Sequence, residues 1–209
     1  MVSTGINKDS NPVQALLELI INVGINGLGL LPSAEKVAAD YLRKSVNVEE
    51  AINSLIAWRT SYTFGTGFIT GLGGIATMPI TIPASLCASY VLGANTAAAI
   101  ACLRGYNVRS DQVQTMVLLC LVGNAGEKIL KEVGIRIGEK LCQNLIKQIP
   151  GRVLIEINKR VGFRLITKAG QTGAINLTKM IPLVGGIVGG SLDSLFVNSS
   201  GQVAKKYFA

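Results

Sequence analysis

The chain has 209 residues, of which 49% are hydrophobic and 15% charged, and a formal net charge of +8. That length suits one domain with a sizeable core. Histidine is absent, which excludes imidazole-assisted nucleophiles, histidine general bases and histidine-containing metal sites.

The positive charge is concentrated between residues 128 and 179, where 11 Lys and Arg stand against three Glu. Such an asymmetry predicts an anionic partner, for which phospholipid headgroups and nucleic acid are the usual choices. Nucleic acid is disfavoured because Phe163 is the one aromatic residue in this region and no helix-turn-helix, RRM or zinc module is present. We therefore expect an anionic membrane surface or a membrane protein complex as the partner.

The cysteines predict neither disulfides nor a metal centre. They lie in apolar surroundings and form no CxxC pair, which is typical of buried, reduced thiols in a cytosolic protein: Cys87, Cys102, Cys120 and Cys142. The N-terminus lacks a basic region leading into a short apolar core, so no signal peptide is predicted. P-loop and Rossmann fingerprints are absent as well, and no cofactor or catalytic residue is predicted.

In chain order, helical spacing dominates and strand-like alternation is scarce, which predicts an all-α fold. We expect a flexible N-terminal arm over residues 1–12 and a single helical domain over residues 13–209. Ser33, Asn47 with Glu50, and Ser110 with Asp111 are predicted helix caps. Breaks are expected at Gly105, after Val122, at Pro150 and from Gly170 to Gly173. The predicted helices are Val13–Leu30, Ala34–Lys44, one from Val48 through Trp58 into the uncharged stretch, Gln112–Val122, Glu127–Ile149, Arg152–Lys168 and a last one after Pro182.

An uncharged stretch of 44 residues lies between Arg59 and Arg104. It is long enough for two helices of about 20 residues each, the length that spans a bilayer. We predict a helical hairpin with arms near Thr60–Thr77 and Ala84–Leu103. Two prolines four residues apart break any helix between the arms, so the hairpin turn is predicted at Pro79, Thr81 and Pro83.

Either a bilayer or the protein's own core must bury this hairpin. Arg59, Arg104 and Arg109 would lie at its open end, as the positive-inside rule requires of a hairpin inserted from the cytosol. The arms, however, are rich in Gly, Ala, Thr and Ser, and Asn95 lies in the middle of the second arm, which disfavours insertion. Both interpretations stay open, a buried hairpin with peripheral membrane binding being slightly favoured.

Glycines also recur in G-x-x-x-G register. On a helix this spacing makes a flat groove that lets a second backbone approach closely, in a membrane or in a soluble bundle. The predicted helix-packing positions are Gly67, Gly71, Gly134, Gly138, Gly185 and Gly189.

The order of three motifs resembles the bacterial EcsC family. They are Gly65-Thr66-Gly67-Phe68-Ile69-Thr70-Gly71-Leu72-Gly73-Gly74, the proline loop, and an apolar helix ending at Arg104-Gly105-Tyr106-Asn107, with Ile181–Gly190 similar to the family's closing helix. The resemblance runs from about Val48 to Phe208. It implies an all-α, membrane-associated or membrane-proximal protein, named for a neighbour of an ABC-type exporter. The family usually has an acidic residue in the proline loop, where this chain has Thr81.

A membrane role would use the basic half of the chain, because each Lys or Arg near an anionic surface contributes about 1 kcal/mol. The competing interpretation is that these cations pair internally with Glu132, Glu139 and Glu156. The candidate lipid-binding residues are Lys128, Lys131, Arg136, Lys140, Lys147, Arg152, Lys159, Arg160 and Arg164.

The sequence therefore predicts a membrane-associated helical protein at the cytoplasmic face, without catalysis of its own. It would act as a lipid-binding scaffold or modulate a membrane complex. The family resemblance suggests that such a complex contains an ABC exporter. Homo-oligomerisation is compatible with this prediction. The alternative is a soluble helical bundle that binds an apolar ligand or a protein partner. Glu18 and Asp193 are acids in apolar helices and are expected to be partly exposed rather than catalytic.

Overall fold

The computed structural model describes residues 11–65, 84–135, 143–177 and 185–209, with side chains except at 62–65, 84–85, 168–177 and 185–193. These ranges contain no strand, only an isolated bridge between Leu28 and Leu31, which confirms the all-α prediction. The helices are α1 (Pro12–Asn26), α2 (Ala34–Leu42), α3 (Val48–Gly65), α4 (Ala84–Leu103), α5 (Asp111–Leu121), α6 (Ala125–Glu132), α7 (Gln143–Lys147), α8 (Gly151–Leu177) and α9 (Gly185–Tyr207).

The predicted helix caps are present. Ser33 Oγ accepts a hydrogen bond from the Lys36 amide at 3.2 Å, and Ser110 Oγ accepts one from Val113 at 3.4 Å. Asn47 Oδ1 accepts from the Glu50 amide at 2.9 Å, while Glu50 Oε2 reaches back to the Val46 amide at 2.8 Å. The Glu50 carboxylate thus satisfies an amide one residue before the cap.

Helix α4 occupies the centre of the bundle, where α1, α2, α3, α5 and α9 pack around it. Its bounds match the predicted second hairpin arm. By length and composition α4 could cross a membrane, yet 89% of the window Leu86–Leu103 is buried inside the protein. In this fold α4 is therefore buried in the protein core. The predicted first arm is described only as far as Gly65, the last residue of α3, and the predicted turn at Pro79, Thr81 and Pro83 lies outside the described residues.

One buried amide connects α4 to three other parts of the fold. Asn95 Oδ1 accepts a hydrogen bond from the Arg59 guanidinium at 2.8 Å, and Asn95 Nδ2 donates to the carbonyl oxygens of Gly24 at 2.8 Å and Pro32 at 3.0 Å. The Gly24 carbonyl is among the last four of α1, which have no partner within their own helix. Asn95 therefore caps the C-terminal end of α1 from the middle of α4.

This contact corrects the predicted position of Arg59. Arg59 is only 4% exposed and lies in the second half of α3, well inside the helix that begins at Val48. It does not share an open end with Arg104 and Arg109. Those two arginines pair at the surface with Glu49 and Glu35.

Close helix crossings use glycines other than the predicted ones. A Cβ atom on Gly24 would lie 2.8 Å from the Ala94 Cβ, where α1 crosses α4, and one on Gly201 would lie 2.9 Å from Ile56 Cγ1, where α9 crosses α3. Gly162 approaches Val13 and Leu17 of α1 in the same way. A side chain at these positions would require a shift of the neighbouring side chains or of the helix that carries them.

The prediction that Gly134 lies at a close helix crossing is wrong. Gly134 has φ +82° and open space around its Cβ position. It ends α6 in a Schellman motif, with Ile135 N–H bonded to the Leu130 carbonyl at 2.8 Å and Gly134 N–H to the Lys131 carbonyl at 3.1 Å. Gly185 and Gly189 lie in the first two turns of α9, where only the backbone is described. Outside the described residues lie Gly67, Gly71 and Gly138.

Two helix bounds also differ from the prediction. The Schellman motif ends α6 and so interrupts the long helix that was expected over Glu127–Ile149. The short helix α7 lies further along the same range. Conversely, α8 runs through Gly170 and Gly173 to Leu177. Isolated glycines lower helix stability by about 1 kcal/mol each but do not interrupt the hydrogen-bond ladder.

We expect Asn95→Ala to lower the free energy of unfolding by about 3 kcal/mol, because it leaves buried partners on α1, α3 and the α1–α2 turn without their hydrogen bonds. Urea denaturation measures the change. Asn144→Ala, at an exposed position of α7, is the matched control and should stay within about 0.5 kcal/mol. Equal stability of the two variants would contradict the assigned role of Asn95.

Gly24→Ala should destabilise the fold by about 1–3 kcal/mol, because the new methyl group meets α4. Gly151→Ala, at the first residue of α8 with nothing within 4 Å, is the control and should be neutral or slightly stabilising. Thermal unfolding of both variants tests the crossing, and a tolerated Gly24→Ala would show that α1 and α4 do not meet there.

Candidate functional site

The candidate lipid-binding residues fall on several helices. Lys128 and Lys131 are exposed on α6, Lys147 ends α7, and Arg152 and Lys159 are exposed on α8. Arg136 and Lys140 lie outside the described residues. The Lys128 ammonium is 3.9 Å from Glu132 and its side chain is 71% exposed, an ion pair that adds little stability and leaves the charge available.

Arg160 has a different environment. Its Nε donates to Glu156 Oε1 at 2.7 Å, and its NH1 donates to Glu132. Because Glu132 is the last residue of α6, Arg160 joins α8 to α6. Arg160 is therefore paired internally with Glu132 and Glu156, as the competing interpretation of the basic residues has it, and its part in lipid binding stays a prediction. Arg164, also on α8, is partly buried.

Helix α8 carries two apolar faces. The inward face consists of buried side chains at helical spacing, which pack in the core: Leu154, Ile157, Val161 and Leu165. On the opposite side, Ile155 is 71% exposed and Phe163 is 67% exposed. Packing in the core accounts for the inward side chains. The outward side chains Ile155 and Phe163 have no packing partner among the described residues.

The outward apolar residues alternate with cations. Arg152, Ile155, Lys159 and Phe163 stand at positions i, i+3, i+7 and i+11, which places them in one line along the helix. We call these four residues the α8 stripe. Glu156, beside the stripe, is bound by Arg160, so its charge is partly compensated. The stripe combines large exposed apolar groups with positive charge.

Ile155 and Phe163 were not among the predicted binding residues. A signal for them was present, since α8 has apolar residues in two separate series that cannot share one face of a helix. Only the inward series can join a core on one side of the helix.

Two carboxylates that contact the C-terminal end of α9 have lowered pKa values. A hydrogen bond from Arg104, together with Lys205 at 3.2 Å, lowers the pKa of Glu49 below its ordinary 4.5. A hydrogen bond from Lys206 likewise lowers the pKa of Glu127. Lys205 and Lys206 thereby attach the end of α9 to α3 and α6, which is a structural role.

The thiols are not activated. Burial raises the pKa of Cys87 and Cys120, and raises that of Cys102 to about 11. All three are free cysteines, whereas the side chain of Cys142 lies outside the described residues. Among the side chains that the structure describes, no group of three metal-ligating residues occurs. A raised pKa disfavours the nucleophilic thiolate.

These features define a helical bundle built around a buried, alanine-rich helix, with a basic and apolar stripe on one outer helix. The EcsC protein family matches residues 44–209, and the chain belongs to that family. No curated protein and no solved structure matches it. Helices α1 and α2 precede the matched region, although Leu16 and Ile20 of α1 are fully buried in the common core.

The lowered pKa values predict acid sensitivity. A carboxylate with a folded-state pKa below its unfolded value adds stability above about pH 4.5, which is lost as the pH falls through the folded-state value. Glu49→Gln should therefore flatten the fall in stability between about pH 5 and pH 3. Urea midpoints across this range, with Glu18→Gln as the control for losing one carboxylate, measure it; identical pH profiles for both variants would contradict the assignment.

Proposed function

We propose that this protein binds the surface of anionic membranes through the α8 stripe and has no catalytic activity of its own, acting as a lipid-binding scaffold or as a modulator of a membrane complex. The observation that carries the proposal is the exposed series Arg152, Ile155, Lys159 and Phe163. Interfacial helices combine large apolar groups with Lys and Arg in this manner. The proposal puts the protein at the cytoplasmic face, where anionic lipids are found and thiols stay reduced.

The expected strength is modest. Burial of Ile155 and Phe163 in the acyl boundary contributes about 1.5–3 kcal/mol each. Arg152 and Lys159 add about 1 kcal/mol each near an anionic surface. Such a sum supports reversible binding rather than permanent anchoring. Lys128, Lys131 and Lys147 would add weaker, longer-range attraction.

The direction of the helices offers further support. Helices α3 and α9 are antiparallel, because Lys205 bonds Asn53 at 2.8 Å and Ser194 bonds the Thr60 carbonyl at 2.6 Å. Gly65 and Gly185 therefore lie at the same end of the bundle. In the sequence, residues 66–83, which follow Gly65, and residues 180–192, which include Gly185, contain no Glu, Lys or Arg and, apart from the excluded position that follows, no Asp, a composition compatible with contact to lipid.

Co-sedimentation with vesicles tests the proposal. We expect binding to phosphatidylglycerol-containing vesicles that weakens as NaCl rises from about 0.05 to 0.5 M, because exposed charges are screened over roughly 8 Å near physiological ionic strength. Neutral phosphatidylcholine vesicles should bind far less. Ile155→Ser with Phe163→Ser, or Lys159→Glu alone, should reduce binding while helicity is retained.

Matched controls separate the stripe from bulk charge and bulk hydrophobicity. Lys44→Glu makes the same charge change in the α2–α3 connection, and Leu30→Ser removes a leucine that is 86% exposed; neither should affect binding. Arg160→Glu should instead destabilise the fold, because it places three carboxylates together. Equal binding to neutral and anionic vesicles, or equal losses in the controls, would refute the proposal.

A carbonate wash of native membranes distinguishes the mode of attachment. Because α4 is buried in the bundle, we expect carbonate to release the protein. Retention in the pellet would mean that the uncharged region inserts, and a purely soluble pool at low salt would favour the alternative of a helical protein that binds an apolar ligand or a protein partner.

A further inference from the structure

A cleft of about 760 Å³ opens between α1, α5 and α8. This volume falls within the range of small-molecule sites, about 300–1,000 Å³. Its floor is apolar, with Leu17, Leu118 and Leu154 contributed by the three helices. An occupant with an extended apolar part is therefore expected.

The rim of the cleft carries charges of both signs. Glu18 of α1 and Asp111 of α5 line it together with Lys159 of α8. Two carboxylates and one ammonium group are complementary to a ligand that has a cationic and an anionic group. A purely anionic amphiphile would meet two like charges and a single opposite one.

Asn158 of α8 provides an independent indication of polar binding. It lines the cleft, and its Oδ1 atom is shielded from solvent while it accepts no hydrogen bond from the described residues. A buried acceptor without a donor costs about 1–3 kcal/mol. Because Asn158 lines the cleft, a turn of its amide would present Oδ1 to a ligand N–H donor and remove this cost, and an ammonium group is such a donor.

The cleft is continuous with the α8 stripe, since Ile155 and Lys159 belong to both. A lipid at the membrane surface would therefore meet the mouth of the cleft next to the groups that bind the bilayer. The α1 wall precedes residue 44 and so lies outside the region matched to the EcsC protein family. Membership of the family does not imply this site.

We propose that the cleft binds a single-chain zwitterionic amphiphile with a primary ammonium group, of the lysophosphatidylethanolamine type. The acyl chain lies on the leucine floor, the ammonium group faces Glu18 and Asp111, and the phosphate faces Lys159. The proposal rests on the proposed membrane function only for the source of the lipid, because the site itself is formed by the folded chain.

Isothermal titration with monomeric myristoyl lysophosphatidylethanolamine, below its micelle-forming concentration, tests the site without any bilayer. Myristate and myristoyl lysophosphatidylglycerol have the same chain and lack the ammonium group. We expect both of these probes to bind at least tenfold more weakly, a difference in binding free energy of roughly 1.4 kcal/mol or more. Equal affinity for the three probes would overturn the assignment of the headgroup.

Gln114→Trp fills the cleft from its α5 rim and should weaken binding by about tenfold or more. Gln112→Trp adds the same side chain to α5 at a position that does not line the cleft, and should bind as the unchanged protein does. Equal affinity of the two variants, with helicity intact, would overturn the location of the site. If Gln114→Trp does not fold, Glu18→Lys, at the exposed surface of α1, replaces it and should produce the same loss.

The two proposals fail separately. Phe163→Ser should reduce vesicle binding and leave monomer binding unchanged, because Phe163 belongs to the stripe and does not line the cleft. Gln114→Trp should have the opposite pattern. Absence of monomer binding with normal vesicle binding would reject the cleft alone, and the reverse result would reject the stripe alone.

Discussion

The burial of α4 is the constraint on which the rest of the structure depends. Every residue from 87 to 101 is buried, so five other helices must approach this one closely. Small side chains and Gly24 permit that approach, and Asn95 fixes its register by bonding Arg59, Gly24 and Pro32. The amide is fully buried, and each of its polar atoms has a partner. Buried polar groups that are fully satisfied specify one arrangement of the helices, because any shift leaves a donor or acceptor unpaired.

The position of α8 follows from that arrangement. Helix α8 packs at the edge of the bundle, mainly against α1, α5 and α6, and it meets α4 through the hydrogen bond that the Tyr90 hydroxyl donates to the Leu165 carbonyl. One side of α8 therefore remains open to solvent. Single exposed apolar residues are normal in soluble proteins. Ile155 and Phe163 differ because they share one line of the helix with Arg152 and Lys159. Burial in the core cannot explain that line, since Leu154 and Leu165 already provide the inward contacts. The stripe therefore calls for a partner outside the described part of the chain.

Local signals made much of the fold predictable. The bounds of α4 follow from the proline pair before it and Gly105 after it, and the caps at Ser33, Asn47 and Ser110 depend on residues within four positions. Long-range effects were not predictable in the same way. Gly134 stands in G-x-x-x-G register, yet it takes a left-handed conformation and ends α6. Arg160 resembles a free cation until Glu132, 28 residues earlier in the chain, is brought beside it by the α6–α8 contact. The second apolar face of α8 was visible in the spacing, but its exposure depends on which helices surround α8.

The same core bears on how the protein would attach to a membrane. A spanning α4 would have to leave the bundle, which would break the three hydrogen bonds of Asn95 and carry an amide into the hydrocarbon. Insertion of α3 beside it would move the guanidinium of Arg59 into the bilayer, at a cost of about 2.5–3.5 kcal/mol at the centre. The apolar surface that α4 buries against its neighbours would meanwhile gain little by exchange for lipid, because both environments are apolar. Attachment through an outer helix needs none of these losses. The proposed attachment through the stripe, and the ligand proposed for the cleft beside it, therefore leave the core around Asn95 intact.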